Sequence, residues 1–252
     1  MKRISKGTLA LFILVFAGGL LVSAPAALLG TVVASASKGQ FVLANTAGTL
    51  WRGTAIPAIR QRSGNLLPME KLGWDIDVWA LFGGKLQASL RWDHVDQAQP
   101  MLLSVTYSQI ELRNALLPVH AGILGELVPL LQPAQLSGQI LVKSNLFTLG
   151  KAGLSGVAVA DWAEAGSVLS AVNPLGNYRV RLTGAGERLD VSLETLAGAL
   201  LLEGSGSFSR SNGMKFQATA RAAEGKKDSL RELLNNLGPE TAPGVHTLAL
   251  MR

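Results

Sequence analysis

The chain contains no cysteine. Disulfides, thiolate metal sites and cysteine nucleophiles are therefore excluded. Charge is scarce too: Asp, Glu, Lys and Arg make up 16% of the 252 residues, where an average soluble domain carries about 25%. Its histidines, His94, His120 and His246, stand far apart, and none belongs to an H-E-x-x-H pattern. Apolar residues reach 48% and mean hydropathy is +0.30. That excludes an intrinsically disordered chain, which needs low hydropathy and high net charge. The length suits one domain or two small ones with a real core. Glycine is plentiful, at 28 residues without a collagen-like period, so it serves turns, bulges and close backbone contacts.

The formal charge of +6 is partly local. Lys2, Arg3 and Lys6 supply three positive charges, and no charged residue occurs from Gly7 to Ser37. Residues 37–252 hold 20 basic against 17 acidic groups, which is no nucleic-acid footprint. The apolar run Thr8–Ala24 would rise roughly 26 Å as a helix, against a bilayer core of about 30 Å. With the basic residues all on one side, residues 1–7 are expected in the cytoplasm and the bulk of the chain across the membrane. Pro25 suits the first turn of a new helix over residues 25–36, lying near the outer membrane face. A cleaved signal peptide ending at Ala34-Ser35-Ala36 is the competing reading. Its apolar region is usually about 7–15 residues and close to the cleavage site, which favours a retained anchor here. Both readings export residues 37–252.

Beyond residue 37 the dominant period is two, the mark of half-buried strands. Leu86–Trp92, Leu103–Tyr107, Tyr178–Leu182, Leu189–Leu193 and Met214–Ala220 all alternate. Gly83-Gly84, Asn173-Pro174, Gly184-Ala185-Gly186 and Asn212-Gly213 separate them, the last a strong hairpin signal. These features predict a largely antiparallel, curved sheet, whether sandwich, open sheet or partial barrel, with a few short helices. Ser229 and Glu232 offer a capping box, and Leu230, Leu233, Leu234 and Leu237 share one helical face before Gly238-Pro239. A less regular apolar helix is expected over Val119–Leu131, between Pro118 and Pro133. Four segments, at Gly48, Gly138, Gly156 and Gly198, repeat a small residue and Gly at a strand start. Either glycine turns the corners of a meander or two sheet halves are duplicated.

No pattern carries chemistry. Trp92-Asp93-His94-Val95-Asp96 reads as a strand end entering a polar turn rather than a metal site. Asp75 and Asp77 would share the solvated face of one strand. Gly204-Ser205-Gly206-Ser207 has the wrong order for a nucleophile elbow, and Gly184-Ala185-Gly186 lacks a third glycine for dinucleotide binding. Trp51, Trp74, Trp79 and Trp92 fall within 42 residues, a spacing that core packing between adjacent strands explains. No catalytic, cofactor-binding or metal-binding residue is assigned, and no cofactor is expected.

One ordered set of short motifs does stand out. Gly48-Thr49-Leu50-Trp51-Arg52-Gly53-Thr54-Ala55, preceded by a basic tail, an apolar span and a proline-started helix, resembles the type II secretion system protein N family. Leu72–Ile76 with Gly84–Leu86 is similar to its second strand pair. Leu154-Ser155-Gly156 with Trp162, then Asn173-Pro174-Leu175-Gly176-Asn177-Tyr178, is similar to its central signature, and Leu196–Gly204 and the helix Leu230–Leu237 complete the match. The resemblance implies a bitopic inner-membrane component of the Gram-negative general secretory apparatus, with its bulk in the periplasm and no established catalytic residues. Its expected partners are inner-membrane and periplasmic type II secretion components, with the lipid bilayer met through the anchor and no nucleic acid. Gly48, Thr49, Trp51, Gly53, Trp74, Leu175, Gly176 and Tyr178 are the motif positions, expected to fix strand corners first and to contact partners second. A different reading is a lipid or apolar-ligand module with an AsmA-like grooved sheet.

Overall fold

Most of the period-two runs become strands between their turn residues; Leu103–Tyr107 is the partial case, its strand ending at Val105. The computed structural model describes residues 6–209 and 211–251, in two units, Met1–His94 and Val95–Arg252.

In the first unit, α1 (Lys6–Val22) and α2 (Ala27–Ala36) precede the strands β1 (Phe41–Gly48), β2 (Arg52–Arg60), β3 (Leu66–Pro68), β4 (Leu72–Ile76) and β5 (Leu86–Trp92), with α3 (Val78–Phe82) between the last two. The strands pair antiparallel in the order β1-β2-β4-β5, and β3 also pairs with β2. Ala26, Ala55 and Trp74 form the buried centre, with Leu29, Leu43, Ile76 and Leu90 around them. α2 thus lies on the sheet, packed along β1. Pro25 falls just before α2 and bridges to Thr49, so it ends an extended link rather than opening the helix. Among the described residues no helix is long and apolar enough to cross a membrane; α1 spans 17 residues.

The second unit holds β6 (Met101–Val105), β7 (Gln109–His120), β8 (Ser137–Gly150), β9 (Gly153–Gly166), β10 (Gly176–Gly186), β11 (Arg188–Gly198), β12 (Leu200–Ser209), β13 (Gly213–Ala222), β14 (Glu240–Ala242) and β15 (Val245–Met251). They form an open antiparallel sheet in the order β6 to β13, then β15 and β14. Cross-strand partners share a face, and here the faces separate by polarity. Leu117, Val142, Ala160, Val180, Leu193, Gly204, Ala218 and Leu248 form one continuous row across eight strands. The row behind it on the other face reads Lys143, Val159, Arg181, Ser192, Ser205 and Gln217. Helix α5 (Lys227–Leu237) covers one end of the apolar side by burying Leu230, Leu233 and Leu234 against Leu175, Leu200 and Ala220.

Several local expectations change. The segment Val119–Leu131 does not form one helix: Val119 and His120 finish β7, Ile123–Leu127 makes α4, and Pro129–Ala134 is a 3₁₀ turn. Pro129, which opens the 3₁₀ turn, and Pro133 inside it interrupt the α pattern. Ser229 lies inside the first turn of α5, because the helix starts at Lys227 without a side-chain cap. Asp77 is not a strand residue; its carboxylate accepts from the backbone N–H of Trp79 at 2.9 Å and Ala80 at 3.3 Å, capping α3. Trp74 and Trp92 are core residues, as adjacent strands require, but Trp79 is 82% exposed on α3.

Candidate functional site

The motif residues gather at two strand corners, one in each unit. At the first, Gly48 leaves β1 with φ +91°, a conformation that costs a side chain energy and glycine little. Thr49 closes the turn: its backbone N–H donates to the Arg52 carbonyl at 2.8 Å, and its hydroxyl accepts from the Arg52 N–H at 3.1 Å. Gly53 is needed for close approach, since a Cβ there would come within 2.6 Å of the Trp74 ring. That ring donates its indole N–H to the Leu50 carbonyl at 3.0 Å. Trp51 is half-buried and points the other way, donating its indole N–H to the Leu21 carbonyl in the last turn of α1 at 2.8 Å. The connection continues through backbone: Leu50 donates to Ala24 at 2.7 Å and Ala26 to Gly48 at 3.1 Å. The corner therefore ties α1, the link to α2 and the sheet together.

At the second corner, Leu175 follows the cis Asn173-Pro174 bond. Its N–H donates to Ala165 on β9, and its carbonyl accepts from Ala199 and Leu200 at 2.8 and 3.0 Å. Three strands meet at this one residue. Gly176 sits so tightly that a Cβ would lie 2.6 Å from the Ala197 carbonyl. Tyr178 is 1% exposed, and its hydroxyl donates to the Leu200 carbonyl at 2.9 Å. Burial pushes its phenol well above the usual value, because the phenolate would lose its hydration. Trp162 tilts against the Tyr178 ring, centroids 5.8 Å apart, and donates to Ser137 at 3.0 Å. In both units, then, an aromatic N–H or O–H crosses to a backbone carbonyl beside a glycine corner. This arrangement fixes strand register at each corner.

Beside it on the polar face, Asp161 accepts from Arg179 at 2.7 Å, and Lys143 lies 3.8 Å away. The Arg179 hydrogen bond holds the Asp161 carboxyl below its ordinary value, against an opposing effect of burial. The depression lined by Arg181, Ser192, Ser205 and Gln217 lies on this face. Among the described residues, no three His, Asp or Glu side chains gather as a metal site. His94 stands in the turn after β5, His120 contacts Gln139 and His246 contacts the Gly238 carbonyl.

The family model for the type II secretion system (T2SS), protein N, matches residues 40–249. The chain belongs to that family. The T2SS protein N match contains both corners, the bifacial sheet and α5. T2SS protein N membership makes the chain a component of the type II secretion apparatus of the cell envelope, a family that is not a known enzyme family. No curated protein and no solved structure gives a significant match.

Of the eight motif residues, Gly48, Thr49, Trp51, Gly53 and Trp74 meet at the first corner, and Leu175, Gly176 and Tyr178 at the second. Two backbone carbonyls outside those eight residues, Leu21 and Leu200, receive Trp51 and Tyr178. Leu200 lies within the Leu196–Gly204 motif, but a backbone acceptor has no residue signature, so the acceptor role of neither is readable from sequence. Sequence reasoning also missed the solvent-facing α3, for which the order Asp77, then an apolar block, then Gly83-Gly84 is a usable cap-and-stop signal.

Proposed function

We propose that this chain is a non-enzymatic, inner-membrane-anchored subunit of the type II secretion apparatus that works in assembly and partner contact. In this reading residues 1–7 are cytoplasmic, residues 8–24 hold the chain in the membrane, residues 25–36 lie close to it, and residues 37–252 are periplasmic. The observation that carries it is α1. Phe12, Val15, Phe16, Leu20, Leu21 and Val22 are between 57% and 70% exposed, and a helix apolar on every face belongs in lipid or in a partner. Its 17 residues rise about 25 Å, a few ångströms less than the bilayer core. Local thinning of the bilayer accommodates such a mismatch at modest cost.

Alkaline carbonate extraction and proteolysis of spheroplasts test the anchor. Retention in the membrane pellet, with digestion of the β units from the periplasmic side, is expected; release by carbonate overturns the anchor. Partner contact is tested by in-cell photocrosslinking from Tyr107, which is 88% exposed. Adducts with inner-membrane secretion subunits are expected. Their absence in an active secretion system sinks the scaffold reading.

The apolar row across β7 to β15 supports a second reading, binding of acyl chains or another apolar ligand. Outside the part under α5, Val142, Ala160, Val180 and Leu193 remain half-exposed. Native mass spectrometry of the purified full chain distinguishes the two: co-purified lipid, displaced by Val180→Asp, supports the ligand reading, and a lipid-free protein counts against it.

A further inference from the structure

The five-residue helix α3 is an apolar cap at one end of the first unit. Trp79 and Phe82 are both 82% exposed, with ring centroids 5.9 Å apart, and Val78 and Leu81 are 36% and 38% exposed. Bulky aromatics at a turn normally find cover, because each has more than 150 Å² of surface to bury. Asp77 caps this helix and Gly83 ends it, so the pair is presented on an ordered turn.

The position of α3 identifies its occupant. The N–H of Ile76, the last residue of β4, donates to the Trp51 carbonyl at 2.6 Å. The indole of that same Trp51 donates to Leu21 at the end of α1. α3 starts two residues after Ile76, so the aromatic pair lies at the end of the sheet where α1 ends. The other end of this sheet is the turn at Ser63-Gly64, beyond the nine residues of β2, about 30 Å away along the strand. The turn's chemistry agrees. Between Asp77 and Arg91 the only charged residue is Lys85, and a single lysine beside tryptophan and phenylalanine suits the headgroup level of a bilayer with anionic lipid.

We infer that α3 is a second membrane contact, in which Trp79 and Phe82 enter the interfacial layer of the same leaflet surface from which α1 emerges. The inference rests on the membrane reading of α1 given above. With the chain held at two points, α1 with its corner and α3, the first sheet takes one orientation to the bilayer. The bound species is lipid, not protein.

The absence of cysteine makes the test direct. Full-length F82C, F16C and S63C are each spin-labelled and reconstituted in phosphatidylethanolamine–phosphatidylglycerol bilayers. Collision with oxygen and with a water-soluble nickel chelate then gives the depth of each label. Labels at 82 and 16 are expected to favour oxygen, and the label at 63 to favour the chelate by roughly tenfold over the label at 82. If residue 82 meets the chelate as freely as residue 63 while residue 16 is in lipid, the α3 inference fails and the anchor stands. If 16 and 82 are both aqueous, the anchor reading fails along with it. A label at 82 shielded from both reagents shows protein packing and also overturns the inference. W79C, labelled in the same way, must show the same preference for oxygen as F82C, and a chelate-accessible label there overturns the inference as well.

Discussion

The indole N–H of Trp51 donates to the backbone carbonyl of Leu21 at 2.8 Å, across 30 residues of sequence. The last four carbonyls of any helix lack intrahelical partners, and here a side chain from the first β-hairpin supplies one of them. A helix that would otherwise be joined to the sheet only by its peptide link becomes attached to it at a defined corner.

Trp51→Phe keeps the ring and removes the donor. A hydrogen bond of this kind contributes about 0.5–1.5 kcal/mol. Amide exchange at Leu50 and Ala26, whose N–H groups bond to Ala24 and Gly48, should rise by up to about tenfold, with the rest of the sheet unchanged. Unaltered exchange at both amides would show that the corner holds without the indole.

Gly53→Ala places a methyl group against the Trp74 ring, where the free space ends at 2.6 Å. Overpacking of this sort costs about 1–3 kcal/mol, and the thermal midpoint should drop by several degrees. Gly19→Ala, with nothing within 4 Å, serves as the control and should leave the midpoint in place.

Tyr178→Phe leaves the Leu200 carbonyl without its side-chain donor and should cost about 1–3 kcal/mol. The pH profile separates this from simple repacking. Burial raises the folded-state pKa of the phenol, so the folded protein keeps a proton that the unfolded chain gives up near pH 10. That contribution is fully present below about pH 10 and declines as pH rises above it. Denaturation curves between pH 9 and 11 should therefore fall less steeply for Tyr178→Phe than for the parent.

Asp161 behaves in the opposite sense. Its carboxyl is held down by the Arg179 hydrogen bond, so its contribution is present above the unfolded value of about 4 and is lost as pH falls through the folded value. Asp161→Asn should flatten the acid limb of the stability curve below about pH 4 and lower stability at pH 7, where the contribution of this part-buried pair is fully present. An unchanged acid limb would remove Asp161 from the account.

Leu230→Ala empties the best-covered position under α5, 0% exposed. Large-to-small changes at such sites cost about 2–5 kcal/mol. Leu237→Ala, at the partly buried end of the same stripe, should cost clearly less in the same urea titration. Equal losses would mean that the helix unfolds from the sheet as one piece.

Much of this fold is legible residue by residue. Leu230, Leu233 and Leu234 at helical spacing became the buried stripe of α5, and Asn212-Gly213 became the hairpin between β12 and β13, with Gly213 at φ +67°. Local chemistry suffices in both cases. The Asp75-to-Trp79 segment misled because alternation and a capped helical turn start from the same residues. Only the Asp77 hydrogen bonds, at 2.9 and 3.3 Å to the next turn, decide between them. The left-handed residues Asn45, Asn114 and Glu164, at φ near +50° inside strands, were equally unreadable, since a bulge is set by the partner strand's register.

The scarcity of charge that marks the sequence is not explained by the apolar N-terminus. Without residues 1–36, which carry three of the 40 charged groups, 37 remain in 216 residues, about 17% against the usual 25% or so. By itself, the sequence determined the apolar first helix, the period-two strands, the stripe of α5 and the family motif, because each depends on neighbours within a few residues. Only the tertiary structure decided where the apolar surface goes: into a continuous face across β7 to β15, into the aromatic corners at Trp74 and Tyr178, and onto the exposed surface of α3 at Trp79 and Phe82. Those outcomes depend on strand register and on backbone carbonyls such as those of Leu21 and Leu200, which every residue possesses and no residue type announces.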